Sequence, residues 1–415
     1  MIKTLSDLFS DKTHKDSYVV LIGTMVNVIA GGAFFIIVPR ILGPYNYGIL
    51  SAALATGLAV NAITNFGIDT GILRFSKDPE KLKEILTIAF KSYLVLGIVS
   101  AIFGLIFSDI IARFINTPQV APLIKIAFTF NIFLLMTNYY VAALQVKGEF
   151  AKASFINFAS NLVRIFLVIV FAYFVSLNLT IITFIFFAVP IVSVIIGQLL
   201  SPFRSQHSSK NAVAEFYKYN SWIALGLIIS SVPLDNYILL KYAGALQAGL
   251  YAAPFKILTV SYQLGGNLTR VFATTLGSAN NLADIKIFIK KSLSIISIFI
   301  LGLLFLLLAK GLLIKILFSS SFAASSDVFS ILIFGFIFFF LNTIPSSIIL
   351  YHLGKSSVTF SITVIKYLSF LILLIVLVSK LGAVGAAYAF AVTELLSLIL
   401  MSTYLFKKLM VDEKN

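Results

Sequence analysis

Four basic side chains stand inside apolar stretches of the sequence that are long enough to cross a membrane. On insertion scales, a charge near the bilayer centre costs about 2.5–3.5 kcal/mol. Such a residue therefore faces a protein cavity or a partner of opposite charge rather than lipid. The four residues are Lys91, Arg164, Lys256 and Lys366.

Two of these basic residues end polar stripes on predicted helices. The spacing i, i+4, i+7 places three side chains on one helical face, and it occurs twice, 202 residues apart. The stripes predict polar, basic faces that line the protein interior and bind an anion. The alternative is hydrogen bonding between helices beside a partner acid. The stripes are Asn157, Asn161 and Arg164, and then Thr359, Thr363 and Lys366.

Lys256 and Lys91 lead to different predictions. Lys256 follows Pro254, and a proline breaks the helical ladder and leaves carbonyl groups that need partners. We therefore expect a kinked helix at a cavity wall, with Lys256 in the cavity. Lys91 has a counterpart, Lys291, at the start of a later predicted helix. This position favours an anchor at the membrane interface, and a role in the cavity is the alternative.

Acidic residues are rare in the apolar stretches. Glu394 lies near the middle of the last one, where it could pair with a basic residue or take up a proton. Asp235 lies near the outer end of the seventh apolar stretch, Tyr219–Leu240. Asp69 follows the second apolar stretch, Tyr47–Phe66, and could form an ion pair with Arg74. The three histidines share no ligand spacing, so the sequence predicts neither a metal site nor a catalytic acid–base pair.

The composition excludes a soluble protein. Hydrophobic residues make up 60% of the 415 positions and charged residues only 11%, whereas soluble domains carry about a quarter charged residues. The sequence has no cysteine, which excludes disulfides, thiolate catalysis and thiolate metal sites. The net charge of +15 lies mostly in loops between apolar stretches, so it indicates membrane orientation rather than nucleic-acid binding.

The apolar stretches predict an all-α integral membrane protein with about twelve transmembrane helices, because about 20 apolar residues span the hydrocarbon core. An even number of helices puts both termini on one side of the membrane. The termini and predicted loops of that side hold twenty Lys and Arg residues, whereas the predicted loops of the other side hold seven. This bias places both termini in the cytoplasm. The predicted spans are Tyr18–Val38, Tyr47–Phe66, Ile85–Phe107, Ile124–Leu144, Ala153–Val175, Leu179–Leu200, Tyr219–Leu240, Gln247–Leu268, Ser292–Leu313, Val328–Leu350, Val358–Val378 and Gly382–Leu405.

An internal repeat divides these helices into two halves of six. Arg40-Ile-Leu-Gly43 recurs as Lys241-Tyr-Ala-Gly244, and Lys91-Ser92 recurs as Lys291-Ser292. Gly148 corresponds to Gly354 at a slightly larger offset. We therefore predict an N-terminal lobe at 1–200, a cytoplasmic linker at 201–218 and a C-terminal lobe at 219–415. Parallel repeats of this kind are typical of transporters.

Four segments resemble the polysaccharide-exporter branch of the multidrug/oligosaccharidyl-lipid/polysaccharide superfamily. The resemblance extends over nearly the whole chain, and the order and spacing of the segments make it specific. The segments are Pro39–Gly48 (PRILGPYNYG), Phe66–Phe75 (FGIDTGILRF), Leu234–Leu240 (LDNYILL) with Gly249–Lys256 (GLYAAPFK), and Gly382–Ala389 (GAVGAAYA).

This resemblance implies a Wzx-type flippase rather than an enzyme. Its expected substrate is an undecaprenyl-pyrophosphate-linked oligosaccharide, moved across the bacterial inner membrane during O-antigen or capsule assembly. The family's basic cavity carries over to Arg164, Lys256 and Lys366, and then to Arg40, Arg74 and Lys91. It further implies contact with membrane lipids and with a polysaccharide polymerase, no nucleic acid, no cofactor, and coupling to an H⁺ or Na⁺ gradient.

Three other functions remain open at this stage. A MATE-like drug antiporter would share the architecture, but it binds cations and calls for interior acids. A membrane-embedded polysaccharide polymerase or ligase would need a catalytic surface on its outer loops, and these loops are short here. A flippase for peptidoglycan or teichoic-acid precursors fits the same charge pattern, although the peptidoglycan type usually has additional helices.

Overall fold

The computed structural model describes residues 12–75, 79–276 and 282–412, and this part of the chain is helical with no strand. Short 3₁₀ turns lie at Pro118–Val120 and Ser320–Phe322, and a π turn lies at Ile348–His352. The α-helices are α1 (Lys12–Asn65), α2 (Ile68–Arg74), α3 (Pro79–Phe114), α4 (Ala121–Gln145), α5 (Phe150–Phe174), α6 (Leu179–Ala188), α7 (Pro190–Leu200), α8 (Lys210–Ser231), α9 (Leu234–Leu258), α10 (Val260–Leu276), α11 (Leu282–Leu308), α12 (Lys310–Phe318), α13 (Ser325–Ser347) and α14 (Ser356–Asp412).

Eight stretches of the described chain are long and apolar enough to cross a membrane. Two of them, Met25–Arg74 and Ser356–Lys408, have 50 and 53 residues, about twice the length that one crossing needs. Each contains a glycine with positive φ, Gly43 in α1 and Gly382 in α14. The chain is therefore a multi-pass membrane protein, as its composition predicted.

The two polar residues Lys366 and Glu394 show that α14 doubles back at Gly382. A straight helix would separate positions 28 residues apart by about 42 Å, at 1.5 Å per residue. Their side chains instead form an ion pair with an Nζ–Oε1 distance of 2.6 Å. The non-helical backbone of Gly382 (φ 56°, ψ −130°) provides the reversal, in a region of backbone space that favours glycine.

The region 210–276 differs from the predicted seventh and eighth spans. Its helices α8, α9 and α10 are not among the eight apolar stretches. The predicted span Tyr219–Leu240 is interrupted at Val232–Pro233, between α8 and α9. The predicted span Gln247–Leu268 is interrupted at Thr259, between α9 and α10. Polar residues and proline concentrate here, which explains why apolar length alone placed the helix boundaries wrongly.

The described chain forms two compact units. One comprises the chain up to Val38 together with Ile49–Pro233, and the other comprises Pro39–Gly48 together with the chain from Leu234 onward. The predicted lobes, 1–200 and 219–415, differ from these units in two places. Residues 39–48 group with the later half of the chain, and α8 groups with the earlier half.

Hydrogen bonds explain why the segment predicted as a linker, 201–218, packs on the first unit. The carboxylate of Glu84 in α3 accepts hydrogen bonds from the backbone N–H and the hydroxyl of Ser209, both at 3.1 Å. The Ser209 hydroxyl in turn accepts from the N–H of Ala212 and caps the start of α8. Farther along, Lys81 and Glu215 form an ion pair at 3.1 Å.

The predicted repeat reappears in the backbone geometry. Gly43 (φ 70°, ψ 170°) and Gly244 (φ 83°, ψ 173°) adopt nearly the same non-helical conformation, 201 residues apart. Gly148 and Gly354 also share positive φ values, of 75° and 63°. Because only glycine adopts this region readily, the repeated glycines mark equivalent bends in the two halves.

Candidate substrate-binding residues

Arg164 lies in the middle of α5 and is buried, with 9% of its surface exposed. Its Nη1 donates to Oδ1 of Asn161 at 2.9 Å, along the predicted stripe. Its guanidinium carbon lies 4.4 Å from the ring centre of Phe186 and 6.0 Å from that of Phe34. The guanidinium therefore lies against the ring of Phe186, with Phe34 farther away, and a lysine would not reproduce this planar contact.

A proline makes the main-chain acceptor of Arg164 available. Pro190 has no N–H, so the carbonyl of Phe186, four residues earlier, lacks its helical partner. Nη2 of Arg164 donates to this carbonyl at 3.4 Å. One weak hydrogen bond therefore joins Arg164 of α5 to the backbone of α6 just before the break between α6 and α7.

No acid neutralises Arg164 in the part of the chain that the structure describes. The ion pairs of this region involve other basic residues, and Nε of Arg164 is buried without a hydrogen-bond partner. Asn157, the first member of the stripe, is half-buried. A buried cation without an internal counter-ion is suited to an anionic ligand, because the ligand's charge would lower the cost of burial.

The stripe of the second half differs from that of the first in its charge. Lys366 is neutralised by Glu394 at 2.6 Å, and the carboxylate side chain is 1% exposed. The Thr363 hydroxyl donates to the Thr359 carbonyl at 2.8 Å within the same helix. The hydroxyl of Thr359 is buried and has no partner among the described residues. The matched stripes therefore carry one uncompensated and one compensated cation.

The polar region around Glu394 extends to α13. One helical turn beyond Glu394, the Ser397 hydroxyl accepts a hydrogen bond from Nδ2 of Asn342 at 3.0 Å. Oε2 of Glu394 and Oδ1 of Asn342 are buried and find no donor within the described residues. Two oxygen atoms with free acceptor capacity thus lie in this region of the second unit.

Lys256 is half-buried in the last turn of α9. The helix continues through Pro254 and ends at Leu258, so the proline lies inside the helix. The carbonyl freed by Pro254, that of Leu250, accepts a hydrogen bond from the Ser325 hydroxyl at 2.8 Å, so it is not left unpaired.

Asp235 lies in the first turn of α9, where the helix dipole favours a negative charge. Its Oδ1 accepts from the backbone N–H of Asn236 at 2.8 Å and from the Asn236 side chain at 3.1 Å. These bonds give Asp235 a local role at the start of the helix.

Arg40 lies within α1, three residues before the bend at Gly43, and Asp69 and Arg74 lie in α2. Arg40 is exposed, and its Nη1 donates to the carbonyl of Ile316 at 2.8 Å within the second unit. Asp69 and Arg74, at opposite ends of α2, form no ion pair, although both belong to the described chain. Oδ1 of Asp69 instead accepts from the N–H of Thr70 at 2.8 Å.

Lys91 lies on an exposed face of α3 and lines a cavity of about 450 Å³. The other lining residues are Phe66, Ile88, Ser92, Val95, Leu96, Ser208, Val213 and Tyr217.

Sequence reasoning missed a buried polar network in the first unit. Asn131 of α4 is fully buried, and its Oδ1 accepts from Nδ2 of Asn61 at 3.0 Å. Its own Nδ2 donates to Thr64 at 2.9 Å and to Ser100 at 3.2 Å. Asn138 adds a longer bond to Asn61, at 3.4 Å. The spacing of Asn131 and Asn138, two helical turns apart in an apolar helix, was the available signal.

Among the described residues, no group of three or more His, Asp or Glu side chains is arranged to hold a metal ion.

The sequence matches the family model described as polysaccharide biosynthesis protein over residues 37–327. A protein of Shigella flexneri named as an O-antigen transporter is 26% identical over 382 residues, covering 87% of this chain and 90% of that protein. The lipopolysaccharide biosynthesis protein WzxC of Escherichia coli K12 is 23% identical over 389 residues, covering 91% of this chain and 78% of that protein.

Solved structures of two kinds share the fold. The lipid II flippase MurJ in an inward closed conformation superposes with a TM-score of 0.75, covering 93% of this chain and 87% of that one. An inward-facing MATE multidrug transporter superposes with a TM-score of 0.73, covering 96% and 99%. Both are 14% identical to this chain, so they establish its fold and leave the choice of substrate to other observations.

Proposed function

Because the chain belongs to the polysaccharide biosynthesis protein family, we propose that it is a flippase for undecaprenyl-pyrophosphate-linked oligosaccharide repeat units. These units would serve O-antigen, capsule or a similar polysaccharide and would cross the bacterial inner membrane by alternating access. Both termini would lie in the cytoplasm, and the two halves would contribute six membrane-crossing helices each.

The buried, uncompensated charge of Arg164 carries this proposal. A glycosylated pyrophosphate does not cross hydrocarbon unaided, because each unpaired polar group adds several kcal/mol. A planar guanidinium with free donors can bind two phosphate oxygens at once. Asn157, Asn161, Thr359 and Thr363 could replace part of the water around the sugars. Lys256 would add positive charge in the second half, and Lys366, whose charge Glu394 balances, would contribute N–H donors.

The side-chain inventory and the names of the relatives argue against two of the three alternative functions, the drug antiporter and the polymerase or ligase. A drug antiporter that binds cations would need free interior acids, and the buried Glu394 is already paired with Lys366. A polymerase or ligase would need a catalytic pair of side chains on an outer surface. The relatives found by sequence are named as a transporter and as a lipopolysaccharide biosynthesis protein, which agrees with transport.

We further propose coupling to an H⁺ or Na⁺ gradient and functional contact with a polysaccharide polymerase. Glu394 is the candidate coupling group, because one of its carboxylate oxygens is bound to Lys366 and the other is buried and free to accept. The test is export after selective collapse of either gradient. Unchanged export in both cases would remove coupling from the proposal.

Replacement of Arg164 tests the function. We expect Arg164→Gln to abolish surface polysaccharide while the protein remains in the membrane. Arg113→Gln is the matched control, because Arg113 is exposed at the end of α3 and should leave export unchanged. Surface polysaccharide is measured by gel or antibody, and membrane protein is measured by immunoblot. Normal polysaccharide in Arg164→Gln cells would contradict the proposed role of this residue.

A further inference from the structure

The cavity beside Lys91 combines one cation with an apolar wall. Lys91 has neither an ion pair nor a hydrogen bond to its side chain within the described chain. Ile88, Val95, Leu96 and Val213 supply apolar surface. The cavity volume, about 450 Å³, falls in the range of small-molecule sites. A site with one charge and several aliphatic side chains is complementary to an amphiphile with an anionic head.

The apolar wall continues as an exposed stripe along α3. Val95, Ile98 and Ile102 follow Lys91 at i+4, i+7 and i+11, so all four residues share one helical face. The three aliphatic side chains are 57%, 50% and 53% exposed. In a membrane protein such a stripe faces acyl chains, so the cavity opens towards lipid.

The length of α3 places Lys91 near the membrane interface. The helix has 36 residues and is about 54 Å long, which exceeds the roughly 30 Å hydrocarbon core. The cytoplasmic extension carries Lys81 and Glu84, which bind the segment before and within α8. A lysine two to three turns along from this extension reaches the headgroup region with its flexible stem.

Polar groups of α8 and of the segment before it also line the cavity. The Tyr217 hydroxyl, on a side chain that is 37% exposed, is 2.5 Å from the Ser92 hydroxyl and holds α8 against α3. Ser208 also lines the cavity. Because the Ser92 hydroxyl donates to the Ile88 carbonyl, the Tyr217 hydroxyl donates to Ser92. The Ser208 hydroxyl makes only a long bond, 3.5 Å, to the Glu84 carbonyl, so it is the hydroxyl that can turn towards a phosphate oxygen beside the ammonium group.

We propose that this cavity binds an anionic phospholipid of the cytoplasmic leaflet. The phosphate lies beside Lys91 and Ser208, and an acyl chain follows Val95, Ile98 and Ile102. The lipid is a bound membrane component and is distinct from the transported substrate. Because α8 forms one wall, the lipid joins α3 to α8 and stabilises the first unit.

Lipid retention by the purified full-length protein tests this assignment. Protein in mild detergent is incubated with phosphatidylglycerol or phosphatidylethanolamine, and bound lipid is counted by native mass spectrometry. We expect a preference for phosphatidylglycerol. In Lys91→Gln this preference should fall about fivefold, the effect of one basic residue worth roughly 1 kcal/mol near an anionic lipid surface. Val95→Trp, which fills the cavity mouth, should reduce the retention of both lipids.

Lys291→Gln is the matched control, because Lys291 is the repeat counterpart of Lys91 and is likewise exposed. It should leave retention unchanged. Equal retention in the two glutamine variants, or no preference for phosphatidylglycerol in the unaltered protein, would overturn the proposal. Competition by millimolar inorganic phosphate would indicate a simple anion site instead. Loss of surface polysaccharide in Lys91→Gln with unchanged lipid retention would assign Lys91 to the transported substrate.

Discussion

Arg164 and Lys366 occupy matched positions in the two halves, but their charges are handled differently. Arg164 rests on the ring of Phe186 and lacks an acid among the described residues, whereas Lys366 is paired with Glu394. Of the two matched stripes, only that of the first half therefore holds a cation without an acidic partner. This asymmetry is the reason to assign anion binding first to Arg164.

Conversion of Arg164 to lysine tests whether export needs only the positive charge at this position or also the planar shape of the guanidinium. Arg164→Lys keeps the positive charge but loses the planar contact with Phe186 and the second donor to its carbonyl. We expect a partial loss of export, intermediate between the unaltered protein and Arg164→Gln. Export equal to that of the unaltered protein would show that charge alone suffices.

The Lys366–Glu394 ion pair predicts that the stability lost by replacing Lys366 is recovered when Glu394 is replaced as well. Lys366→Met alone leaves a buried carboxylate without a partner, which costs about 3–5 kcal/mol for fully buried pairs. The cost should be smaller here because 24% of the Lys366 side chain is exposed. Thermal unfolding in detergent should show a lower Tm for Lys366→Met and recovery in Lys366→Met/Glu394→Gln. A double variant no more stable than the single one would argue against the pair.

At the scale of helices, two prolines create acceptors that side chains of other helices fill. Pro190 frees the Phe186 carbonyl for Arg164, and Pro254 frees the Leu250 carbonyl for Ser325. The helix therefore continues past Pro254 without leaving a buried acceptor unpaired. Each carbonyl that a proline frees thus accepts a hydrogen bond from outside its own helix.

The contact between Ser325 and Leu250 can be tested by a double-mutant cycle. Ser325→Ala should lower the free energy of unfolding by about 1–3 kcal/mol, since it leaves a buried carbonyl unpaired. In a Pro254→Ala background the restored N–H can bond to Leu250, so the same change should cost less. Ser361→Ala is the control, because that exposed hydroxyl bonds only within its helix. Equal costs in both backgrounds would contradict this explanation.

Two glycines allow close backbone contact within the second unit. A Cβ on Gly48 would clash with the carbonyl of Ala245, and one on Gly249 would clash with the carbonyl of Pro44. Gly48→Ala should therefore lower Tm, because overpacking typically costs about 1–3 kcal/mol. Gly302→Ala in α11 meets no atom within 4 Å and should not lower it. Equal Tm values for both variants would show that the contact yields without strain.

For the whole molecule, the sequence predicted the architecture better than its boundaries. Apolar length indicated a multi-pass helical protein, and repeated glycines such as Gly43 and Gly244 indicated two halves. The packing of α8 on α3 was not predictable, because the bond from Ser209 to Glu84 joins residues 125 apart without any periodic pattern. Lys366 and Glu394 were both recognised as candidates, but their pairing depends on the reversal at Gly382.

Cysteine labelling tests the proposed topology, and the absence of native cysteine makes it straightforward. The cysteines are best introduced at exposed side chains without a structural role, such as His207 and Lys315. Nearby Ser209 and Lys310 are less suitable, because Ser209 caps α8 and Lys310 lies 3.7 Å from Asp327. A membrane-impermeant maleimide added to intact cells should label Lys315→Cys and spare His207→Cys. Labelling of both positions, or of neither, would contradict two cytoplasmic termini with six crossings in each half.

The leaflet distribution of the lipid-linked glycan tests the central claim most directly. Deletion of the protein from the bacterium that encodes it should cause undecaprenyl-pyrophosphate-linked repeat units to accumulate on the cytoplasmic face of the inner membrane. Expression of the unaltered chain should restore them to the outer face, and Arg164→Gln should not. An unchanged distribution after deletion, with no accumulation on the cytoplasmic face, would contradict the proposed flippase.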